Sequence, residues 1–191
     1  MSMVLVTGPT IEPVTLQEVK DHIRVDTADD DALISALITA AREHIDGREG
    51  WLGRAINTQT WDCYFDCFPS SGVIPLPIAP VQSITSIKYI DTDGVQQTFS
   101  GADYSLGADL AWSPRVVLGW NKSWPSIRPV QDAVTVRVVA GYSTVPRPIC
   151  QALLLLIGHW HEHREAVMSG DYKEVPSTVA ALLTPYRRSW F

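Results

Sequence analysis

Apolar residues near the start of the chain recur at steps of three and four, the spacing of one face of an α-helix. Thr15 precedes the first such segment and Glu18 follows it by three positions, which predicts a capping box and a helix to about Arg24. A second helix is expected after the acidic run 29–31, because carboxylates suit a helix N-terminus. The stripes expected to be buried are Leu16, Val19 and Ile23, then Leu33, Ile34, Leu37, Ile38, Ala41 and Ile45.

Between residues 58 and 140 the pattern changes to alternation, which is typical of strands with one buried face. A strand is expected over 81–90, and the turn 91–94 (Asp-Thr-Asp-Gly) leads into a second strand as a hairpin. The turn echoes part of a calcium loop, but the downstream glutamate of such a loop is missing. Valines at 134, 136 and 138 predict another strand, and segment 106–127 is expected to form short strands joined by long loops.

Helical spacing returns after Pro146 and Pro148, since proline is tolerated in the first turn of a helix. A long helix with an apolar stripe over 149–160 is expected, then a short helix over 177–183. The pattern predicts an α+β fold: a small helical bundle formed by the N- and C-terminal helices, with an inserted antiparallel β-rich domain. The expected boundaries are an N-terminal arm 1–14, a discontinuous helical domain 15–53 plus 146–185, a β-rich domain 54–145 and a C-terminal tail 186–191.

Composition supports a folded chain and narrows the classes of function. Of 191 residues, 46% are hydrophobic and 19% are charged, enough apolar surface to fold without metal or disulfides. The net charge of −6 argues against gripping DNA phosphates as the main role. Cys63, Cys67 and Cys150 are interpreted as buried free thiols in a reducing compartment. Without a signal-peptide pattern or a long apolar run, we expect a soluble protein made in the cytosol, with no membrane contact.

The candidate chemistry is a histidine cluster near the end of the long predicted helix. His159 and His163 lie one helical turn apart and could share a metal ion, with His161 between them. In the zinc-protease motif, glutamate directly follows the first histidine, and this order is absent. A polar helix end is the main interpretation, and a small metal-dependent enzyme using the cluster is the alternative. No phosphate loop, dinucleotide fingerprint or nucleophile elbow is present, so we expect no cofactor and no enzyme activity.

Two groups of aromatic residues suit contacts with other molecules. Trp112, Trp120 and Trp124 occupy the loop-rich segment and are candidates for a subunit interface, where tryptophan is favoured. The alternative is a loop folded onto its own sheet. The candidates for contact with a partner at the C-terminus are Tyr186, Arg187, Arg188, Trp190 and Phe191. The alternative for this group is a disordered tail.

The order of these segments resembles the head–tail connector proteins of tailed bacteriophages, also called adaptor or head-completion proteins, in the longer branch with a β-rich insertion. The resemblance covers about residues 14–188. The matching stretches, in chain order, are 15–25, 29–45, Arg54 with 59–61, 87–94, 138–142 with 145–146, 151–160 with 164–165, 175–176 and 182–187. Each stretch alone is a helix cap, a turn or a helix, so the ordered set carries the resemblance.

The resemblance implies a structural protein of the virion head–tail junction, made in the host bacterial cytoplasm. Its copies would form a ring, usually of twelve, on the portal protein, extend the DNA channel and dock the next neck or tail protein. DNA would pass through without specific binding, and an acidic channel wall would let it slide. The C-terminal segment of this family often reaches the portal, which gives residues 186–191 their expected role. A stopper or a tail terminator is the alternative within the same class.

Overall fold

The computed structural model describes residues 1–163 and 177–188, and the chain divides into two compact units. The sheet unit comprises residues 1–10 and 58–143. The helical unit comprises residues 11–57 and 144–191. The α-helices lie in the helical unit and the antiparallel sheets in the sheet unit, which confirms the predicted α+β class.

The described part of the helical unit contains four α-helices. They are α1 (Leu16–Ile23), α2 (Asp31–Ile45), α3 (Arg147–Glu162) and α4 (Ser177–Leu183). The predicted capping box of α1 is confirmed: the Glu18 amide donates to Thr15 Oγ1 at 3.2 Å, and the Thr15 amide donates to Glu18 Oε2 at 2.8 Å. The hydrogen bonds from Thr15 hold the pKa of the Glu18 carboxyl below its ordinary value. Arg24 then ends α1 in a left-handed conformation, with φ 59°.

The core of the helical unit is built around α3, which contacts α1, α2 and α4. Its fully buried residues are Ile149, Ala152, Leu153, Leu156 and Ile157. The stripes of the first two helices are narrower than predicted, because Leu33 is 37% exposed and Leu37 is half-buried. Only Val19 of α1 is fully buried, since a helix of about two turns offers one central position to its neighbours.

Gly158, inside α3, is a position where substitution should stabilise the helix. A Cβ atom there would meet His22 Cδ2 at 3.6 Å and Ile23 Cγ2 at 3.7 Å, which is ordinary van der Waals contact. We expect Gly158→Ala to raise the free energy of unfolding by about 0.5–1 kcal/mol, because alanine is the better helix former. Urea denaturation checks this, and a loss of stability would show that the contact between α1 and α3 accepts no added methyl group.

The sheet unit contains eight strands in two antiparallel sheets. They are β1 (Ser2–Thr7), β2 (Gln59–Phe65), β3 (Val73–Pro75), β4 (Val81–Ile90), β5 (Gln96–Phe99), β6 (Tyr104–Leu106), β7 (Arg115–Leu118) and β8 (Val134–Ala140). The larger sheet has the order β1-β2-β8-β4-β5, and the smaller has the order β3-β7-β6. The predicted strand over 81–90, the hairpin that follows it and the strand around 134–138 are confirmed.

Alternating burial along β8 separates the two faces of the larger sheet. Val134, Val136, Val138 and Ala140 are buried, and the residues between them are half-buried. On the buried face, Val136 lies opposite Cys63 of β2 and Ile87 of β4. On the other face, Arg137 donates from Nε and Nη2 to the two carboxylate oxygens of Asp62, both at 2.7 Å. This bidentate salt bridge joins β2 to β8 on the polar face of the sheet.

The chain start and the domain boundaries differ from expectation. Residues 1–10, expected within an N-terminal arm, belong to the sheet unit, where β1 forms an edge and pairs antiparallel with β2. The sequence of β1 is Ser-Met-Val-Leu-Val-Thr, and its β-branched residues suit a strand. The divisions between the units fall after residues 10, 57 and 143, where the sequence placed them after 14, 53 and 145.

The expectation of three buried thiols is wrong for two of them. Cys63 is buried, but Cys67 is exposed because β2 ends at Phe65, and Cys150 is half-buried. Cys150 Sγ donates to the carbonyl oxygen of Pro13 at 3.5 Å, and burial raises the pKa of its thiol. This thiol therefore stays protonated and is a poor nucleophile. Within 1–163 and 177–188, no helix has the length and apolar character that crossing a membrane requires.

Candidate partner-binding surfaces

The loop after α2 folds back against the end of its own helix. The Trp51 and Leu52 amides donate to the carbonyl oxygens of His44 and Ile45, at 3.1 and 3.2 Å. Carbonyls in the last turn of a helix have no partner within the helix, so these bonds cap α2. Gly50 makes the turn possible, because a Cβ there would lie 2.6 Å from the Ile45 carbonyl carbon and closer still to the Asp46 carbonyl oxygen. The loop position is therefore fixed by backbone contacts.

Arg54, part of the stretch that resembles the connector family, lies in the interior of the helical unit. It is 1% exposed and is the bulkiest of the fully buried side chains. Its carbonyl oxygen accepts from the Gly47 amide at 2.6 Å, and the Asp46 carboxylate accepts from the Ile56 amide at 2.7 Å. These bonds tie the two ends of the loop together, so Arg54 supports the loop and is not itself a surface contact.

The described end of the C-terminal segment lies against this loop. The Arg188 amide donates to the Leu52 carbonyl oxygen at 2.9 Å. The Arg187 guanidinium carbon lies 4.7 Å from the centroid of the Trp51 ring, a cation–π contact. Tyr186 is half-buried within a short 3₁₀ turn. These three predicted contact residues are thus held on a folded surface; Trp190 and Phe191 lie outside the described residues.

The loop and the C-terminal segment line an open cleft of about 330 Å³, which we call the arginine cleft. It is lined by Arg48, Glu49, Gly50, Trp51, Gly53, Arg187 and Arg188. Three guanidinium groups and one carboxylate make the cleft basic, although the whole chain carries a net charge of −6. The sequence indicated Arg187 and Arg188 but not Arg48 or Trp51. The sequence did indicate a loop after the second helix, because Gly47 and Gly50 mark the end of that helix. No sequence feature indicated that this loop lies beside the C-terminal segment.

Trp120 is the most exposed large apolar side chain of the sheet unit, at 98%. The turn that carries it is held from behind: the Gly119 amide donates to the Asp103 carbonyl oxygen at 2.8 Å, and Lys122 Nζ lies 2.7 Å from Asp103 Oδ1. Trp112, also in this unit, is 49% exposed. The structure therefore presents Trp120 to solvent on an ordered turn, as a protein–protein contact requires.

Trp124, the third candidate of this group, packs within its own unit. Its ring stacks on Phe68 with an angle of 1° between the planes and 4.6 Å between the centroids, and the Phe99 ring centroid lies at 5.1 Å. Tyr89 and Tyr104 contact Phe68 and Phe99 respectively and complete an aromatic cluster. Trp124 thus follows the alternative interpretation, in which the loop folds onto its own sheet.

The histidine cluster is divided between separate contacts. The His159 and His163 ring centroids are 4.5 Å apart, but His163 Nδ1 lies 2.9 Å from the His159 carbonyl oxygen. His161 is directed instead toward Asp30, with 3.5 Å between Nε2 and Oδ2. Among the residues that the structure describes, no group of three or more histidine, cysteine or acidic side chains is arranged to hold a metal ion.

Asp91, in the turn that echoes part of a calcium loop, uses both carboxylate oxygens inside the β4–β5 hairpin. Oδ1 accepts from the Asp93 amide at 3.0 Å and from the Val95 amide at 2.9 Å, and Oδ2 accepts from Gln97 Nε2 at 2.8 Å. The Gln97 and Val95 hydrogen bonds hold the pKa of Asp91 below its ordinary value. The turn is explained as a hairpin, as the sequence indicated.

Comparisons with known proteins identify a matching family and solved structures with the same fold. The family model described as Head completion protein matches residues 12–189. A chain from the neck of an empty gene transfer agent particle, computed with C6 symmetry, is 26% identical with a TM-score of 0.77, over 100% of this chain and 97% of that one. Two further chains share the fold over 100% of this chain and 97% of their own lengths: one from the virion of a native gene transfer agent particle (24%, TM-score 0.76) and one from a native neck computed with C12 symmetry (22%, 0.70). No curated protein matches this chain.

Proposed function

Because this chain belongs to the head completion protein family, we propose that it is a head–tail adaptor, a subunit of a ring seated on the portal protein. Family membership makes it a structural protein of a phage or phage-like particle. The ring would extend the DNA channel and offer a docking surface to the next neck or tail protein. The observation that carries the proposal is the family match over residues 12–189, joined to the 26% identity with a neck chain.

A ring of twelve copies fits this proposal. The 26% identical chain lies in a neck computed with C6 symmetry, and twelve is a multiple of six. A closed ring needs two unlike patches on each subunit that bury against each other. Trp120 supplies the centre of one such patch, since a large aromatic side chain on an ordered turn is the usual anchor of an interface.

Charge and chemistry agree with a channel role. With a net charge of −6, copies in a ring repel DNA phosphates more than they attract them, so DNA would slide past without specific binding. The subunits would be made in the host bacterial cytoplasm and enter the virion during assembly. Residues 186–188 would contact the portal, as the family resemblance implies for the C-terminal segment. Contacts with Leu52 and Trp51 hold Arg188 and Arg187 in place for this role.

The direct test is reconstitution of the chain with the portal ring of its own particle. Native mass spectrometry should show one adaptor copy per portal subunit, and electron microscopy should place the added density on the portal end that faces the tail. A monomer in the absence of the portal is compatible with the proposal, since binding can order assembly surfaces. Binding only to later neck or tail components would instead identify a stopper or a tail terminator.

Trp120→Ala should weaken ring formation without weakening the fold. We expect the free energy of unfolding to change by no more than about 0.5 kcal/mol, because the side chain is exposed. The concentration needed for ring assembly on the portal should rise about 30-fold, the scale of an interface hot spot. Native mass spectrometry over a concentration series gives this value.

Trp124→Ala is the matched control for this variant. It should lower stability by about 2 kcal/mol, because its ring stacks on Phe68. Its ring assembly should stay near that of the wild-type chain at temperatures where the variant is folded. Unchanged assembly by Trp120→Ala would contradict the interface assignment.

A further inference from the structure

The arginine cleft joins two parts of the helical unit that are remote in sequence. Arg48 comes from the loop after α2, while Arg187 and Arg188 come from the C-terminal segment. The Arg187 guanidinium carbon lies 4.7 Å from the centroid of the Trp51 ring, so the ring holds this group at the cleft through a cation–π contact. The N–H donors of a guanidinium group lie along its rim, in the fork geometry that matches a carboxylate or a phosphate.

The walls of the cleft are fixed before any partner arrives. The amides of Trp51 and Leu52 bond to the end of α2, and the Arg188 amide bonds to Leu52. Leu52 itself is fully buried, which anchors the loop in the core of the unit. A site built on such a frame loses little conformational entropy when it binds, so its contacts translate into affinity.

The charge of the cleft indicates an anionic partner, and its size indicates which kind. A volume of about 330 Å³ accommodates a few side chains or a single phosphate, and three arginines cannot follow the continuous row of phosphates that duplex DNA presents. A DNA-binding face also needs many cations over a broad area, whereas this chain has a net charge of −6 and a glutamate at the cleft. Carboxylate side chains on a protein segment suit three clustered guanidinium groups.

We propose that the arginine cleft binds an acidic segment of the portal protein, with an aspartate or glutamate carboxylate held by Arg187 and Arg48. This rests on the proposed adaptor function, which supplies the portal as partner. It adds the loop residues Arg48 and Trp51 to a contact that the sequence assigned to the C-terminal segment alone. It also specifies that the portal protein supplies the carboxylate that the cleft binds.

The first arm of the test measures binding of full-length variants to the isolated portal ring at about 0.15 M salt. Arg187→Glu should raise Kd about 30-fold, because it places a like charge before the carboxylate. Arg187→Lys should raise Kd about 10-fold, because lysine keeps the charge but lacks the planar fork. Arg48→Ala should give a Kd between that of the wild-type chain and that of Arg187→Glu. Arg128→Glu reverses an exposed arginine of the sheet unit and is the control, with an expected change below about twofold.

The second arm uses two soluble probes, a short polyglutamate peptide and a short duplex DNA. Calorimetry should show that wild-type protein binds the peptide more tightly than the duplex, and that Arg187→Glu abolishes peptide binding. Thermal unfolding of each variant confirms that it is folded. Duplex binding that depends on Arg187, without peptide binding, would assign the cleft to nucleic acid and overturn the proposal.

The two arms separate failure of the cleft from failure of the adaptor function. If wild-type protein and all arginine variants bind the portal equally, the cleft assignment is wrong and the adaptor function stands. If wild-type protein does not bind the portal, the adaptor function is wrong and the acidic portal segment is lost with it. Peptide binding by wild type, abolished in Arg187→Glu, would then still assign a carboxylate ligand to the cleft, for a different partner.

Discussion

Val136→Asp is expected to unfold the sheet unit, lowering the free energy of unfolding by about 4 kcal/mol or more. Val136 is fully buried at the centre of β8, and its cross-strand neighbours Cys63 and Ile87 are fully buried as well. A carboxylate at this position would be removed from water, and these neighbours offer no cation to pair with it. It must therefore either be protonated or separate β8 from its neighbouring strands. Urea denaturation followed by circular dichroism measures the loss.

Thr135→Asp is the matched control for this prediction. The position is next to Val136 in the same strand, but it is half-buried and lies opposite Tyr64 and Lys88 on the polar face. An aspartate there keeps contact with water and faces the Lys88 ammonium group, so stability should change by no more than about 1 kcal/mol. Equal destabilisation by both substitutions would contradict the assignment of the two faces.

Gly50→Ala is expected to have the largest effect among single methyl additions in the described chain. The new Cβ would overlap backbone atoms of Ile45 and Asp46, which cannot rotate aside as a side chain can. The loop must then leave the end of α2, with a loss of about 2 kcal/mol in stability. Hydrogen exchange should show the effect locally, as lost protection of the Trp51 and Leu52 amides.

Gly8→Ala and Gly158→Ala provide the comparison. Gly8 has open space around the added methyl, with Leu5 Cδ2 at 3.8 Å, so its substitution should leave stability within about 0.5 kcal/mol of wild type. Gly158→Ala should be stabilising, because alanine favours the helix more than glycine does. If Gly50→Ala changes stability as little as Gly8→Ala does, the loop is not fixed by its backbone contacts. The conclusion that the arginine cleft has a rigid wall would then be wrong.

The elements that the sequence predicted well are those determined by near neighbours. The cap of α1 depends on Thr15 and Glu18, three positions apart, and the β4–β5 hairpin on the turn 91–94. Burial on alternate residues of β8 follows from its valines in the same way. In each case the signal and the structure lie within a few residues, so no tertiary information was needed.

The features that were missed depend on contacts between remote segments. Nothing near β1 indicates that it pairs with β2, which begins at residue 59. The arginine cleft requires Arg48 and Arg187 to meet, and no local pattern relates them. The tryptophans show the same limit: Trp120 and Trp124 are close in sequence, but Asp103 holds the turn of one and Phe68 packs on the other.

The position of β8 in its sheet sets an order of events during synthesis. Its two neighbours, β2 and β4, are both made earlier, yet each pairs with β8, so the middle strand of the sheet is the last to leave the ribosome. Until residue 140 has emerged, β2 and β4 lack the strand that pairs with both of them in the folded sheet, so an inner edge of each has no partner. Such edges invite pairing with other chains. Many copies translated on one polysome would bring these edges close together, so chaperone binding or slow initiation would improve the yield of correctly folded subunits.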